Sequence, residues 1–226
     1  MCWWGSRDGN DRREAVALSP PPTRLILVRH GATPTTGKIL PGRAVGLHLA
    51  DYGHRQAAAV ADQLPARFGA ITALLTSPLE RAQETAQPLS ERLGMTPKIE
   101  PRLVECDFGE WTGASLAKLY RKPAWRELMM QAGNFRFPGG ESLREVLDRM
   151  LDLVSDLRTH HKSETIVGFT HADPIKILTT EALGMHIDQM HRISVATASM
   201  TAFVISEVGI NLDSLNTGSL IGGSPA

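Results

Sequence analysis

Cysteine is nearly absent from this 226-residue chain, which has only Cys2 and Cys106. Two are too few for a disulfide scaffold or a cysteine-based zinc site, and a reduced, cytoplasmic setting is the natural reading. A surplus of charge is also missing, because 24 basic and 24 acidic side chains cancel. A general nucleic-acid binder or a protein held on anionic membranes would show a basic excess, so no nucleic-acid or membrane partner is expected. Any positive charge used on an anionic ligand must therefore be local. No apolar run approaches transmembrane length. Residues 1–22 carry Arg7, Asp8, Asp11, Arg12, Arg13 and Glu14 where a signal peptide would need apolar residues. They end in Pro20-Pro21-Pro22 and read as a disordered N-terminal extension. There is no Walker motif, no paired-aspartate nucleophile motif and no Cys-x5-Arg loop, since Cys2 reaches Arg7 one residue too early.

Strand and helix patterns alternate past that extension. This is the signature of an α/β three-layer sandwich: a mostly parallel central sheet with helices on both faces. Leu25 to Val28 read as a buried strand ending in Arg29-His30-Gly31. A glycine- and proline-punctuated loop leads to a helix over 51–64 with Asp51 as N-cap. A second strand covers 70–76. Ser77-Pro78-Leu79-Glu80 then gives a helix start, with Ser77 as cap and Pro78 at the first helical position. That helix runs to about Leu93, where Gly94 stops it, and a short strand follows at 97–100.

Residues 106–140 read as an irregular insertion over the site. Ser142-x-x-Glu145 opens a long helix whose apolar residues Leu143, Leu147, Met150, Val154 and Leu157 keep helical spacing. A strand at 165–170 ends in Thr170-His171. Asp173-Pro174 opens a helix reaching Leu183. A final edge strand is expected at 200–206. The expected domain is 23–210, with 211–226 as a loose tail.

These junctions converge. Arg29 and His30 sit at one strand end, Arg81 in the first turn of the helix after another, and His171 at a third. Open α/β sheets bind ligands along that rim. Two guanidinium forks, two imidazoles and two helix N-termini around one point make a strong sink for a tetrahedral dianion.

The motifs also occur in a telling order. They are Leu27-Val28-Arg29-His30-Gly31-x-Thr33, Leu49-x3-Gly53-x2-Gln56-Ala57, Ser77-Pro78-Leu79-x-Arg81-Ala82-x-Glu84-Thr85-Ala86, Leu103-x-Glu105-x-x-Phe108-Gly109-x-Trp111-x-Gly113, Phe137-Pro138-Gly139-Gly140-Glu141-Ser142 and Thr170-His171. In that order they resemble the histidine phosphatase superfamily, most closely its phosphoglycerate-mutase-like branch. The likeness covers about residues 23–206, and the segments 105–113 and 184–188 are similar to small bacterial members named as phosphomutases.

The resemblance implies a nucleophilic His30 that forms a phosphohistidine. Arg29, Arg81 and His171 would hold the phosphoryl oxygens. Glu105 would protonate the leaving oxygen and then activate water. Thr33, Thr36, Gly42 and Ala172 join Arg29, Arg81 and His171 as expected phosphate-binding residues. No metal and no cofactor is implied, because guanidinium groups replace a bound cation. The partner is a small phosphorylated substrate, and a homodimer is left open.

This chain departs from the family at Ala32, where Glu or Gln is common, at Ala172, where Gly is common, at Thr36, where many relatives carry Asn, and at Pro174. None of these touches the five core positions. Glu141 reads equally as a substrate contact or as support for the helix start near Ser142. Trp111 and Trp125 read as packing anchors. Lys118, Arg121, Lys122 and Arg126 read as a solvated face, and His186 and His191 lack metal-ligand spacing. The expected activity is metal-independent phosphomonoester hydrolysis. A phosphomutase using the same residues and a non-catalytic phosphate-binding module are the alternatives.

Overall fold

Strand β1 (Thr23–Arg29) buries four consecutive apolar residues, Leu25 to Val28, completely. Successive side chains of a strand point to opposite faces, so both faces of the sheet need cover. The computed structural model describes residues 21–218, which leaves the expected extension, apart from Pro21 and Pro22, outside the described residues. After β1 the chain forms β2 (Ile39–Leu40), α1 (Asp51–Phe68), β3 (Ala73–Thr76), α2 (Glu80–Leu93), β4 (Lys98–Ile99) and β5 (Ala114–Ser115). It continues through α3 (Leu116–Leu119), α4 (Pro123–Met130), α5 (Leu143–His160), β6 (Thr165–Thr170), α6 (Ala172–Ala182), β7 (Met200–Ser206) and β8 (Gly209–Thr217).

Six strands form one sheet in the order β4-β3-β6-β1-β7-β8. The first four run parallel, while β7 is antiparallel to β1 and β8 antiparallel to β7. Leu25 and Leu27 pack against Met150, Leu153 and Val154 of α5 and Ile175 and Leu178 of α6. On the other face, Ile26 and Val28 meet Val60 and Leu64 of α1 and Ala82, Ala86 and Leu89 of α2. The mostly parallel sheet covered on both faces is thus the observed fold.

Three local expectations are corrected. The strand β7 is internal, because residues 209–217, expected to lie mostly in a loose tail, form the edge strand β8. Its apolar residues Ile210, Leu212 and Leu215 pack against one core face, and register shifts in its pairing with β7 break the simple alternation. Helix α1 has Ala50 rather than Asp51 at its N-cap, and the Ala50 N–H donates to the Ala32 carbonyl at 2.9 Å. Helix α2 has Leu79 at its N-cap, so Ser77 lies outside the helix it was expected to open. The capping box of Ser142 and Glu145 forms on α5 as expected.

Residues 106–140 are more ordered than an irregular insertion. They contain β5, α3, α4 and two 3-10 turns, and β5 pairs with β2 in a separate ribbon. Phe108, Trp111, Phe135 and Phe137 build a third apolar cluster there with Leu143 of α5 and Ile177 of α6. Edge-on ring pairs, such as Phe108–Phe137 at 4.9 Å, lock it.

Candidate active site

Three neighbouring parallel strands, β3, β6 and β1, end side by side and deliver the chemistry. Arg29 closes β1 and His30 follows it; Thr170 closes β6 and His171 follows as the N-cap of α6. The chain leaving β3 passes through Ser77 into α2, whose second residue is Arg81. The His30 and His171 rings lie 5.2 Å apart, centroid to centroid.

The loop after β1 holds His30 rigidly. The Gly31 N–H donates to Thr85 Oγ1 at 2.9 Å, and the Ala32 N–H to Gln56 Oε1 at 2.9 Å. Gln56 is in turn fixed by donating to Thr197 Oγ1 at 2.9 Å. The loop presses so closely on α1 that a Cβ on Gly53 would stand 2.1 Å from the Ala32 oxygen. His30 Nδ1 lies 2.7 Å from the Gly31 carbonyl, an acceptor only, so that nitrogen carries the proton and Nε2 keeps its lone pair. Burial, then the charges of Arg29 and Arg81, hold the imidazole well below the usual histidine range and so neutral.

The cations around it are held by carbonyls rather than by carboxylates. Arg81 is completely buried, and its Nη2 donates to the Gly42 carbonyl at 2.7 Å. Its Nε and Nη1 have no partner among the described residues, nor does Arg29 Nε. Arg29 Nη1 donates to the Val195 carbonyl at 2.6 Å. His171 Nε2 lies 2.8 Å from Ser77 Oγ, while its buried Nδ1 has no partner among the described residues. Ser77 Oγ already accepts from the Leu79 N–H at 3.3 Å, which turns its own proton toward His171 Nε2 and leaves the imidazole proton on Nδ1. Burial is the main cause that holds His171 neutral, with Arg81 next. A buried N–H without an acceptor costs about 1–3 kcal/mol, so several in one place mark a site for an anion.

Glu105 completes the cluster. Two contacts hold its segment: Thr170 Oγ1 donates to the Leu103 carbonyl at 2.6 Å, and Arg43 Nε to the Glu105 carbonyl at 2.9 Å. Its carboxylate accepts from the Cys106 N–H at 3.0 Å. Burial first, and the nearby Asp173 carboxylate second, push Glu105 up to about 7 against the opposing pull of Arg81 and Arg29. A carboxyl poised there can both give and take a proton near neutral pH.

The other expected phosphate contacts have defined places. Thr33 is buried, and its N–H donates to Thr36 Oγ1 at 2.8 Å, so both hydroxyls are engaged within their own loop. Gly42 supplies the carbonyl that braces Arg81, and Ala172 is the first residue of α6. Glu141 neither touches the cluster above nor caps α5. It pairs with Arg43 at 2.7 Å and accepts from the Asp107 N–H at 3.0 Å, tying the insertion to the loop after β2.

Trp111 is buried in the third cluster, and Lys118, Arg121, Lys122 and Arg126 are exposed. Sequence reasoning gave no role to Ser77 beyond a cap, to Asp173 beyond a helix start, or to Arg43. Gly53 and Gln56 stood in a quoted motif, and their contacts with the loop after β1 are its physical basis. Among the described residues, no group of three or more His, Cys, Asp and Glu is arranged to hold a metal, and no helix is long and apolar enough to cross a membrane.

A parallel-sheet fold with a buried cationic cluster at its C-terminal rim defines the class. The chain belongs to the histidine phosphatase superfamily (branch 1), which it matches over residues 25–218. It is 34% identical over 187 residues to the Bifunctional protein Rv2228c of Mycobacterium tuberculosis, covering 80% of this chain but only half of that protein. It is 33% identical over 178 residues to a glucosyl-3-phosphoglycerate phosphatase of Mycolicibacterium vanbaalenii, covering 73% of this chain and 76% of the relative. Its fold superposes on a phosphoserine phosphatase mutant of Entamoeba histolytica in complex with phosphoserine, with a TM-score of 0.77 and 26% identity, covering 86% of this chain and 97% of the other.

Proposed function

We propose that this protein is a cytoplasmic, metal-independent phosphomonoester hydrolase that acts through a phosphohistidine on a small phosphorylated metabolite. The observation that carries this reading is the set of buried N–H groups of Arg29, Arg81 and His171, unpartnered among the described residues, around a neutral imidazole whose Nε2 keeps its lone pair. Family membership and the phosphatases among the relatives support it. His30 Nε2 attacks phosphorus in line with the ester oxygen, forming a P–N bond as the P–O bond breaks. Arg29, Arg81 and His171 take the three equatorial oxygens and stabilise their charge. Protonated Glu105 passes its proton to the leaving alkoxide, so an alcohol departs. The resulting carboxylate then takes a proton from water as that water attacks phosphorus, and the P–N bond breaks to release phosphate and free His30. Residues 106–140 cover the leaving group in this reading. A phosphomutase would use the same steps but return the phosphoryl group to the product.

The test is a trapping experiment. Brief turnover on a labelled phosphomonoester should leave acid-labile, base-stable phosphate on His30, and exhaustive chelation should leave the rate unchanged. His30→Ala should lose both label and turnover, with a rate fall on the order of a thousandfold or more. Substantial activity in His30→Ala, or a chelator-inactivated enzyme rescued by zinc or magnesium, would overturn the mechanism. Product analysis separates free phosphate from a transferred phosphoryl group.

A further inference from the structure

Beside the cationic cluster lies a cavity of about 270 Å³ between the 106–140 segment and α6. Phe108, Trp125, Leu128, Phe137 and Met190 supply its apolar walls, and Asp173, Lys176 and His191 its polar ones. Two walls are shared with the cluster. Asp173 acts on both Arg29 and Glu105, and it stands two residues beyond His171. Phe108 packs against Gly42, where an added Cβ would stand 3.1 Å from its ring, and the Gly42 carbonyl holds Arg81. The cavity therefore adjoins the phosphate-binding groups on the side of Glu105, where a leaving group would sit.

Its chemistry is selective. A cavity of ~150 Å³ lined by apolar residues holds a benzene ring, so this one has room for a ring with substituents. Aromatic rings bury well against aromatic walls. Tyr120 and Met129 line it too, yet remain 59% and 41% exposed, large apolar surfaces that a seated ring would help to cover. His191 lines the cavity, and its buried Nε2 has no partner among the described residues. Burial lowers the affinity of His191 for a second proton, and a neutral imidazole can turn a lone pair on Nε2 toward a donor. No arginine lines the cavity, and its one lysine, Lys176, lies 3.8 Å from Asp173. Arg43, the guanidinium on the neighbouring loop, is engaged by Glu141. A substrate carboxylate in the cavity would meet Asp173. Arg149, a nearby guanidinium with unpartnered nitrogens among the described residues, acts on Glu105 and does not line the cavity to offset the repulsion.

We propose, resting on the phosphatase reading, that the substrate is the phosphate ester of a ring-bearing alcohol. Its aromatic ring sits in this cavity and presents a hydroxyl or amine donor to His191 Nε2. Small carboxylate-bearing phosphoesters are poor substrates.

The test compares kcat/KM of the full chain on ethyl phosphate, benzyl phosphate, 3-hydroxybenzyl phosphate, phosphoserine and 3-phosphoglycerate. Benzyl phosphate should exceed ethyl phosphate at least tenfold, the hydroxyl should add several-fold more, and the two carboxylates should fall below benzyl phosphate. Leu128→Trp should lower the benzyl-to-ethyl ratio about tenfold, and His191→Phe should abolish the advantage of the hydroxyl. Each ratio is internal to one protein, so a smaller folded fraction cancels, and the wild-type ranking decides alone if a variant does not fold. Turnover of every ester at similar rates, preference for a carboxylate, or unchanged ratios in both variants would overturn this inference and leave the phosphatase reading intact. Failure to hydrolyse any of the five would refute both.

Discussion

Glu105 should destabilise the folded protein at neutral pH, and replacing it with glutamine should reveal by how much. The carboxyl is only 6% exposed, and its proton affinity is raised in the fold from 4.5 to about 7. A group whose folded pKa lies above its unfolded value binds more protons in the native state between those two pH values. Stability must then fall as pH rises from about 4.5 to about 7 and stay low above that. Integrated over that window, the loss has a ceiling of ~3 kcal/mol.

Glu105→Gln keeps the shape and an oxygen for the Cys106 N–H but does not titrate. The variant should match wild type near pH 4.5 and exceed it increasingly up to pH 8. For a chain of this size that gain corresponds to a Tm rise on the order of 5–10 °C. Urea unfolding followed by tryptophan fluorescence, run on both proteins at pH 5 and pH 8, measures the difference of differences, in which all other titrating groups cancel. The same variant should hydrolyse alkyl phosphates roughly a hundredfold more slowly, so stability and activity move in opposite directions. A stability difference that ignores pH, or that shrinks as pH rises, would show that Glu105 is not a buried, proton-holding carboxyl.

The remaining predictions concern the groups that position the site. Gly53→Ala places a methyl group against the Ala32 carbonyl, so a stability loss of about 1–3 kcal/mol and a fall in kcat of at least tenfold are expected, checked by thermal melts and steady-state kinetics. Ser77→Ala should lower stability by about 1–3 kcal/mol, since two buried bonds are lost, and reduce kcat/KM about tenfold, since His171 loses the partner that fixes its tautomer; unaltered kinetics would refute that role. Because burial and two guanidiniums keep His30 neutral, the phosphorylation burst measured by quenched flow on nitrophenyl phosphate, whose leaving group needs no proton from Glu105, should show no loss from His30 protonation as pH falls through 6.5. A half-point at 6.5 would contradict the described environment.

Much of the fold was legible because strands and helices here obey their periods. The continuous apolar run of Leu25 to Val28 announced a strand buried on both faces, and Ser142 and Glu145 announced the start of α5. The misread places are those where a side chain had a tertiary use. Ser77 is a good local cap, but its hydroxyl serves His171 and the helix begins two residues later. Strand β8 was hidden because one of its faces meets solvent and register shifts interrupt its alternation. In the site, residues at strand ends were readable because topology brings such ends together. Arg43 and Asp173 were not, since Arg43 meets Glu105 and Glu141, and Asp173 acts on Arg29 and Glu105, across distant elements, and no local pattern encodes those meetings.

The way Arg29 and Arg81 are anchored explains how a chain of zero net charge gathers positive charge at one point. Neither forms an ion pair with a carboxylate among the described residues; each is steadied through one nitrogen by a carbonyl, of Val195 and of Gly42. A carbonyl fixes direction without cancelling charge, whereas a carboxylate there would neutralise the guanidinium and compete with an anion for its other N–H groups. That choice constrains the sequence beyond the arginines themselves. Gly42 has a φ of +51°, and a Cβ there would stand 2.8 Å from Thr112 Oγ1. The close approach of the insertion to the Arg81 anchor therefore requires glycine. One residue without a side chain thus joins the orientation of the buried cation to the seating of the segment that covers it.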